Sequence, residues 1–119
     1  MARMLRVMWK HHLESLNQQL RYGSARSHGT SREHRARATL EVANEIQRVG
    51  CPLGPWVVTL TRYGVRYLDD DNLAAAFKRI RDGVADALGV DDGDRRRIRW
   101  EYVQRIGPWS VSVEIRTDE

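Results

Sequence analysis

The feature that most constrains the fold is an apolar stripe in the second half of the chain, with members spaced three or four residues apart. Its members are Leu73, Ala76, Phe77, Ile80, Val84, Ala87 and Leu88. This spacing predicts an amphipathic helix that buries one face. Asp70 or Asp71 is suited to cap the start of the helix, and Gly89 is suited to end it. Such a helix must pack against another layer of structure, which the rest of the chain has to supply.

Four other segments have the alternation or composition of β-strands, and they cover residues 5–13, 56–67, 97–105 and 109–116. We expect Ile106-Gly107-Pro108 to join the last two as a hairpin turn. A further helix of about 16 residues is expected between a Ser31 cap and Gly50, with Ala36, Leu40, Ala43 and Ile46 as its apolar face. The pattern predicts an α+β fold in which a small, mixed four-stranded sheet packs with two helices, as a single domain over residues 1–119.

Composition indicates the cellular compartment in which the protein is expected. The chain has 119 residues and one cysteine, Cys51, so no internal disulfide can form, which suits a reducing cytosol. The start, MARMLRVMWKHHL, lacks the apolar stretch of a signal peptide. No segment approaches the ~20 apolar residues of a membrane span. We therefore expect a cytoplasmic protein with no membrane partner, and no phosphate loop indicates an organic cofactor.

Charge is unevenly distributed along the chain. Residues 1–68 contain 11 Lys and Arg against 4 Asp and Glu, whereas residues 69–94 contain 3 against 8. Residues 95–119 are again basic, with 6 against 4. A basic protein with one acidic island is suited to bind a polyanion such as nucleic acid and, at the acidic island, to bind cations. A merely basic protein with a solvated acidic helix end is the alternative.

The acidic island consists of two clusters that flank the helix of the apolar stripe. Asp69, Asp70 and Asp71 precede the helix, and Asp91, Asp92 and Asp94 follow it. Carboxylates this close repel unless a cation lies between them, and Mg²⁺ prefers such oxygen ligands. A continuous helix over 71–88 would be ~27 Å long and would keep the clusters apart. We therefore expect a break near Gly83 or in the turn after it, or a partner subunit that supplies one cluster. Alternatively, the aspartates only cap a helix and fill turns.

Both acidic motifs resemble those of a known family. The segment Leu68-Asp69-Asp70-Asp71-Asn72-Leu73 resembles the Asp-x-Asp-Asn-Leu motif of the RusA-type crossover-junction endonucleases, and Val90-Asp91-Asp92 resembles their second motif. The segment Glu14–Arg21 is similar to the Ser-x-Asn segment that follows their first strand. The resemblance covers nearly the whole chain and implies a homodimeric, Mg²⁺-dependent nuclease (with Mn²⁺ as a possible substitute) that resolves four-way DNA junctions, often encoded by phages and prophages.

Site residues follow from this resemblance by motif. Asp69, Asp71 and Asp92 match the three metal-binding, catalytic aspartates, and Asp91 is an additional candidate ligand. The lysine that family members often carry three residues after the asparagine is replaced by Ala75. Lys78, one helical turn further on, is the candidate to contact a phosphate instead.

Arginines are the candidate DNA contacts outside the acidic motifs. One set lies in the first half of the chain and a second precedes the third strand: Arg21, Arg26, Arg32, Arg35 and Arg37, then Arg95, Arg96 and Arg97. Two other functions stay open. One is a DNA-binding module without activity, and the other is a metal-dependent nuclease acting on other branched DNA or on RNA.

Overall fold

The computed structural model describes residues 3–15 and 31–119 and shows a small α+β fold. In chain order its elements are β1 (Met4–Lys10), α1 (Ser31–Val49), β2 (Trp56–Gly64), α2 (Asp70–Ala76), α3 (Lys78–Leu88), β3 (Ile98–Ile106) and β4 (Ser110–Thr117). The four strands form one mixed sheet, which confirms the predicted fold class. Residues 3–15 and 31–119 contain three helices rather than the two predicted, because the helix of the apolar stripe is interrupted at Phe77.

Strand order differs from the hairpin that the sequence suggested. The order is β1-β4-β2-β3, so β2 lies between the two last strands of the chain. β2 is parallel to β3 and antiparallel to β4. The prediction that Ile106-Gly107-Pro108 forms a hairpin turn is therefore wrong. This segment crosses the end of β2, where Gly107 N donates to Gly64 O at 3.0 Å.

Two strands are shorter than predicted, and strand pairing explains both ends. β1 stops at Lys10 because its neighbour β4 begins at the paired residue Ser110. β2 stops at Gly64, which pairs with Ile106 at the end of β3. An alternating sequence marks the residues that suit a strand, but the partner strand decides where pairing ends.

The apolar stripe is buried as predicted. Leu73, Phe77, Ile80 and Val84 have relative exposures of 4% or less and belong to the hydrophobic core, with Ala87 and Leu88 packed against it. Gly89 ends α3 in the left-handed conformation, with φ 73°. The expected break near Gly83 is absent, since α3 continues through that residue.

The buried face of α1 differs from the predicted one. His34, Ala38 and Val42 face the core, whereas Leu40 is 55% exposed and Ala36 and Ala43 are also exposed. Of the predicted face, Ile46 packs against the core. Alanine-rich helices present small apolar residues on more than one side, so spacing alone could not select the face. Gly50 closes the helix as predicted, with a left-handed φ of 90° and a bond from its N to Ile46 O.

None of the helices in residues 3–15 and 31–119 is long and apolar enough to cross a membrane.

Candidate active site

The loop that carries the first acidic motif is held by two side chains from the sheet. Arg62 on β2 donates from Nη1 to Arg66 O at 2.8 Å. Gln104 on β3 brackets Leu68, accepting from its N at 2.9 Å and donating to its O at 2.6 Å. The chain is therefore fixed immediately before Asp69. Arg62 and Gln104 carry no signal in the sequence pattern, because each belongs to a strand whose place in the sheet only the fold reveals.

Asp69 caps α2. Its Oδ1 accepts from Asn72 N at 2.9 Å, and its Oδ2 accepts from Asn72 Nδ2 at 3.1 Å. The sequence suggested Asp70 or Asp71 for this role, but these residues form the first turn of the helix. Both are exposed, where the helix dipole favours their charge. Asp71 forms no ion pair with any residue that the structure describes, so its carboxylate is accessible from solvent.

The second motif folds back along α3. After the turn at Gly89, Asp92 Oδ2 accepts from Arg81 Nη2 at 2.8 Å and from Lys78 Nζ at 3.2 Å. Lys78 is the first residue of α3, so the chain reversal brings Asp92 to the start of that helix. The turn after α3 therefore returns Asp92 to the start of α3, whereas the first acidic motif lies at the start of α2. Burial raises the pKa of Asp92, but the hydrogen bonds from Arg81 and Lys78 outweigh it and lower that pKa.

Asp82 is a buried carboxylate that the sequence analysis missed. It is 8% exposed and accepts from Lys78 Nζ at 2.9 Å, with Arg79 at 3.5 Å and Arg35 at 4.0 Å. Lys78 therefore lies between the carboxylates of Asp82 and Asp92. The spacing of four residues between Lys78 and Asp82 on a helix was the available signal. The hydrogen bond to Asp82 is the main cause of the raised pKa of Lys78.

Both acidic motifs are attached to the same strand. Gln104 holds Leu68, next to Asp69, and Trp100 Nε1 donates to the backbone O of Asp92 at 2.9 Å. Side chains four residues apart on a strand share a face and are separated by about 13 Å. The structure thus attaches the residue before Asp69 and the backbone of Asp92 to one face of β3.

The donor set suits a hard divalent cation, because four aspartates supply only carboxylate oxygens. In the described ranges, however, no three His, Cys, Asp or Glu side chains are grouped so that they could hold a metal ion. Asp92 is neutralised by Lys78 and Arg81 instead. Asp91 is exposed and accepts from Gly93 N at 3.0 Å, which makes it a turn residue in this conformation.

The candidate DNA-binding arginines fall into different environments. Arg35 forms a double hydrogen bond with Asp86 at 2.7 and 2.9 Å, and Arg37 pairs with Glu41. Arg97 lies 3.5 Å from Asp94. In contrast, Arg32, Arg95 and Arg96 are exposed and form no ion pair with a residue inside the described ranges. Arg21 and Arg26, like most of the Ser-x-Asn segment, lie outside the described residues.

A pair of histidines links the end of β1 to α1. His11 Nε2 lies 2.6 Å from His34 Nδ1, and Trp9 Nε1 donates to His11 Nδ1 at 3.1 Å. Burial and the neighbouring His34 lower the pKa of His11 to about 4. His34 is 2% exposed, and burial lowers its pKa as well. Both rings are therefore neutral at pH 7 and connect two elements of the core.

No model of a known protein family matches this sequence. An uncharacterized protein of Xylella fastidiosa (strain Temecula1 / ATCC 700964) is 71% identical over 24 residues. The matching stretch covers 20% of this chain and 16% of that protein. The similarity is therefore local and names no activity.

Proposed function

We propose that this protein is a Mg²⁺-dependent, structure-selective DNA endonuclease that resolves four-way junctions by paired cuts. The observation that supports the proposal is that Leu68, next to Asp69, and the backbone of Asp92 are hydrogen-bonded to two side chains on one face of β3, Gln104 and Trp100. The two motifs have local structural roles, with Asp69 as a helix cap and Asp92 as the partner of Lys78 and Arg81, but these roles give them no reason to be attached to one strand. They have a chemical reason if both contribute to a site that contacts phosphates.

Asp69, Asp71 and Asp92 are the residues that would hold the cation, with Asp91 as an additional ligand and Mn²⁺ as a substitute for Mg²⁺. When bound, such a cation stabilises charge on a phosphate oxygen and lowers the pKa of a water molecule. Asn72 orients the Asp69 carboxylate through the hydrogen bond from its side chain. Trp100 and Arg81 orient Asp92 by bonds to its backbone and its side chain.

Ala75 stands where family members often have a lysine, and Lys78, three residues further on, is the candidate phosphate contact instead. Its Nζ lies between Asp82 and Asp92, and its side chain is 48% exposed. An ammonium held at this place can donate to a phosphate oxygen while it stays bonded to Asp82. Asp82 would then act as a positioning residue for Lys78.

A homodimer fits the proposed substrate, because two symmetric sites can make two symmetric cuts. β1 lies at one edge of the sheet and exposes Met4 and Met8, each 49% accessible. An exposed edge strand is a surface that can pair with a second copy. Sedimentation velocity at micromolar concentration tests this part of the proposal, and a monomer there would refute it.

The decisive experiment is cleavage of a labelled synthetic four-way junction with and without Mg²⁺, by the wild type and by Asp71→Asn. Asparagine keeps the size of the side chain and removes its charge. We expect paired, symmetric nicks that require Mg²⁺ and disappear in the variant. Glu45→Gln is the matched control, since Glu45 pairs with Arg48 in the last turns of α1 and belongs to neither acidic motif nor any proposed DNA contact.

A binding module without activity is the second candidate, and the pairing of Asp92 with Lys78 and Arg81 favours it. In that case the wild type would bind the junction equally with and without Mg²⁺, and Asp71→Asn would bind as the wild type does. Linear duplex, flap and RNA substrates in the same assay separate a junction resolvase from a nuclease acting on other branched DNA or RNA.

A further inference from the structure

A cavity of about 550 Å³ lies beside Asp92 along β3, and its walls combine cationic and aromatic side chains. The cationic residues are Arg81, Arg95, Arg96 and Arg99, and the aromatic ones are Trp56, Trp100 and Tyr102. Two carboxylates, those of Asp92 and Asp118, also contribute. We call this the arginine–tryptophan cavity.

The arginine–tryptophan cavity carries an excess of positive charge. Arg81 is paired with Asp92 at 2.8 Å, and Arg99 lies 3.5 Å from Asp118. Arg95 and Arg96 form no ion pair within the described part of the chain. The two acids of the wall are thus matched by two of its arginines, and the remaining two guanidinium groups are available to an anion. Planar guanidinium groups bind phosphate in a bidentate manner.

The aromatic walls are held in place by their own hydrogen bonds. Trp100 donates to Asp92 O at 2.9 Å, and the guanidinium of Arg81 lies 5.2 Å from the centre of its ring. Trp56 donates to Pro52 O at 2.8 Å. All three rings are half-buried, so part of each ring remains accessible. Fixed aromatic surfaces beside arginines are how proteins hold the bases of single-stranded nucleic acid.

We propose that the arginine–tryptophan cavity binds one unpaired nucleotide of a DNA strand, with its phosphate on Arg95 and Arg96 and its base against the aromatic wall. The volume lies within the range of pockets that bind small ligands. A base in duplex DNA is stacked on both sides and cannot reach such a wall. The ligand is therefore an unstacked nucleotide, such as a branch point exposes. The proposal deepens the proposed function, since it names the part of the substrate that lies next to Asp92.

Equilibrium binding in EDTA tests this site separately from cleavage. A labelled short oligothymidylate is compared with an abasic strand of the same length, which has the same phosphates and no bases. We expect the abasic strand to bind about tenfold more weakly, as stacking of a base predicts. The double variant R95Q/R96Q should weaken oligothymidylate binding and reduce the salt slope of the affinity by roughly one unit. Arg105→Gln is the control, because Arg105 is exposed on β3 and is not part of the cavity; it removes one positive charge where R95Q/R96Q removes two.

Equal binding of the abasic and thymidylate strands would overturn the assignment of a base to the aromatic wall. Equal binding by R95Q/R96Q and Arg105→Gln would overturn the assignment of the phosphate. Tighter binding of oligouridylate than of oligothymidylate would overturn the choice of DNA. Junction cleavage by the wild type is scored apart: cutting without oligothymidylate binding refutes the cavity alone, whereas binding through Arg95 and Arg96 without cutting refutes the nuclease and leaves the cavity.

Discussion

Arg62 Nε donates to the backbone O of Leu13 at 2.8 Å, across a separation of 49 residues. Arg62 is 2% exposed, and its guanidinium also donates to Arg66 O. One side chain of β2 therefore fixes the segment after β1 and the loop that leads to Asp69. Burial lowers the pKa of Arg62, so this cation lies in surroundings that disfavour its charge and has been placed there for its hydrogen bonds.

Replacing Arg62 by lysine should destabilise the protein even though the charge is kept. An ammonium is a single compact donor group and cannot reach both carbonyl groups that the guanidinium spans. We expect a loss of about 2–4 kcal/mol in the free energy of unfolding, measured by urea denaturation. Arg105→Lys, on the exposed surface, should stay within about 0.5 kcal/mol of the wild type. A similarly small effect of Arg62→Lys would show that the two bonds do not hold the loop.

Gly83 marks the closest approach of α3 to α1. A Cβ built there would lie only 2.3 Å from the backbone O of Arg35 and 2.8 Å from Ala38 Cβ. Thr39 Oγ1 donates to Gly83 O at 3.1 Å and so joins the two helices at the same point. The glycine is therefore required by the packing of two backbones rather than by its own conformation.

Gly83→Ala should cost about 3 kcal/mol or more, because the two helices must separate to admit the methyl group. This loss exceeds the gain of about 1 kcal/mol that alanine brings to a helix interior. Thermal and urea unfolding measure the difference. Gly93→Ala is the control, since a Cβ there meets its nearest atom at 3.6 Å, and it should be nearly neutral. A stabilised Gly83→Ala variant would mean that α1 and α3 are not packed this closely.

The sequence predicts a helix or strand correctly where its local pattern agrees with the burial of its residues in the fold. The stripe from Leu73 to Leu88 predicts the buried face of α2 and α3, though not their separation at Phe77, and alternation or composition predicts strands β1 to β4. The sequence does not predict the fold where the position or the buried face of an element depends on the element that packs against it. Nothing local shows that β2 inserts between β3 and β4, so Gly107 was assigned to a hairpin that does not form. Similarly, the face of α1 depends on the close approach at Gly83, which selects Ala38 over Leu40.

The residues of the candidate site also differ in whether the sequence predicts them. Asp69, Asp71 and Asp92 are predicted by motif, because their residue types stand at fixed places in the chain, and they stay a prediction. Asp82, Gln104 and Arg62 were not found, because their roles arise from contacts between distant elements. Gln104 shows the difference most clearly, since a polar residue on an edge strand is ordinary until the fold places it against both polar groups of Leu68.

The histidine pair predicts how stability depends on pH. Trp9 donates to His11 Nδ1, so a proton added there would meet another donor. The pKa of His11 is about 4 in the folded protein and lies near 6.5 in the unfolded chain. Between these values the unfolded chain binds more protons, so stability is full above about pH 6.5 and is lost as the pH falls towards 4.

We expect the wild type to lose about 2 kcal/mol between pH 7 and pH 4.5, less than the full linkage because the His11 ring is partly exposed. Urea unfolding at the two pH values measures the loss. His11→Asn should be less stable at pH 7 but show a flatter dependence over this range. An identical slope in the two proteins would assign the pH dependence to other groups.

Asp92→Asn and Asp71→Asn should differ in stability even if both abolish cleavage. Asp92 neutralises Lys78 and Arg81, so its substitution should cost about 1–2 kcal/mol of unfolding free energy, a modest value because these pairs are partly exposed. Asp71 has no ion pair with a described residue, and its substitution should stay within about 0.5 kcal/mol.

Each substitution should lower junction cleavage by about a hundredfold or more, because even groups that only orient a metal ligand are worth about 10–100-fold. Urea unfolding and single-turnover cleavage on the same preparations give both quantities. Loss of cleavage in Asp92→Asn alone, with Asp71→Asn fully active, would remove Asp71 from the metal site and leave Asp92 acting through its bonds to Lys78 and Arg81.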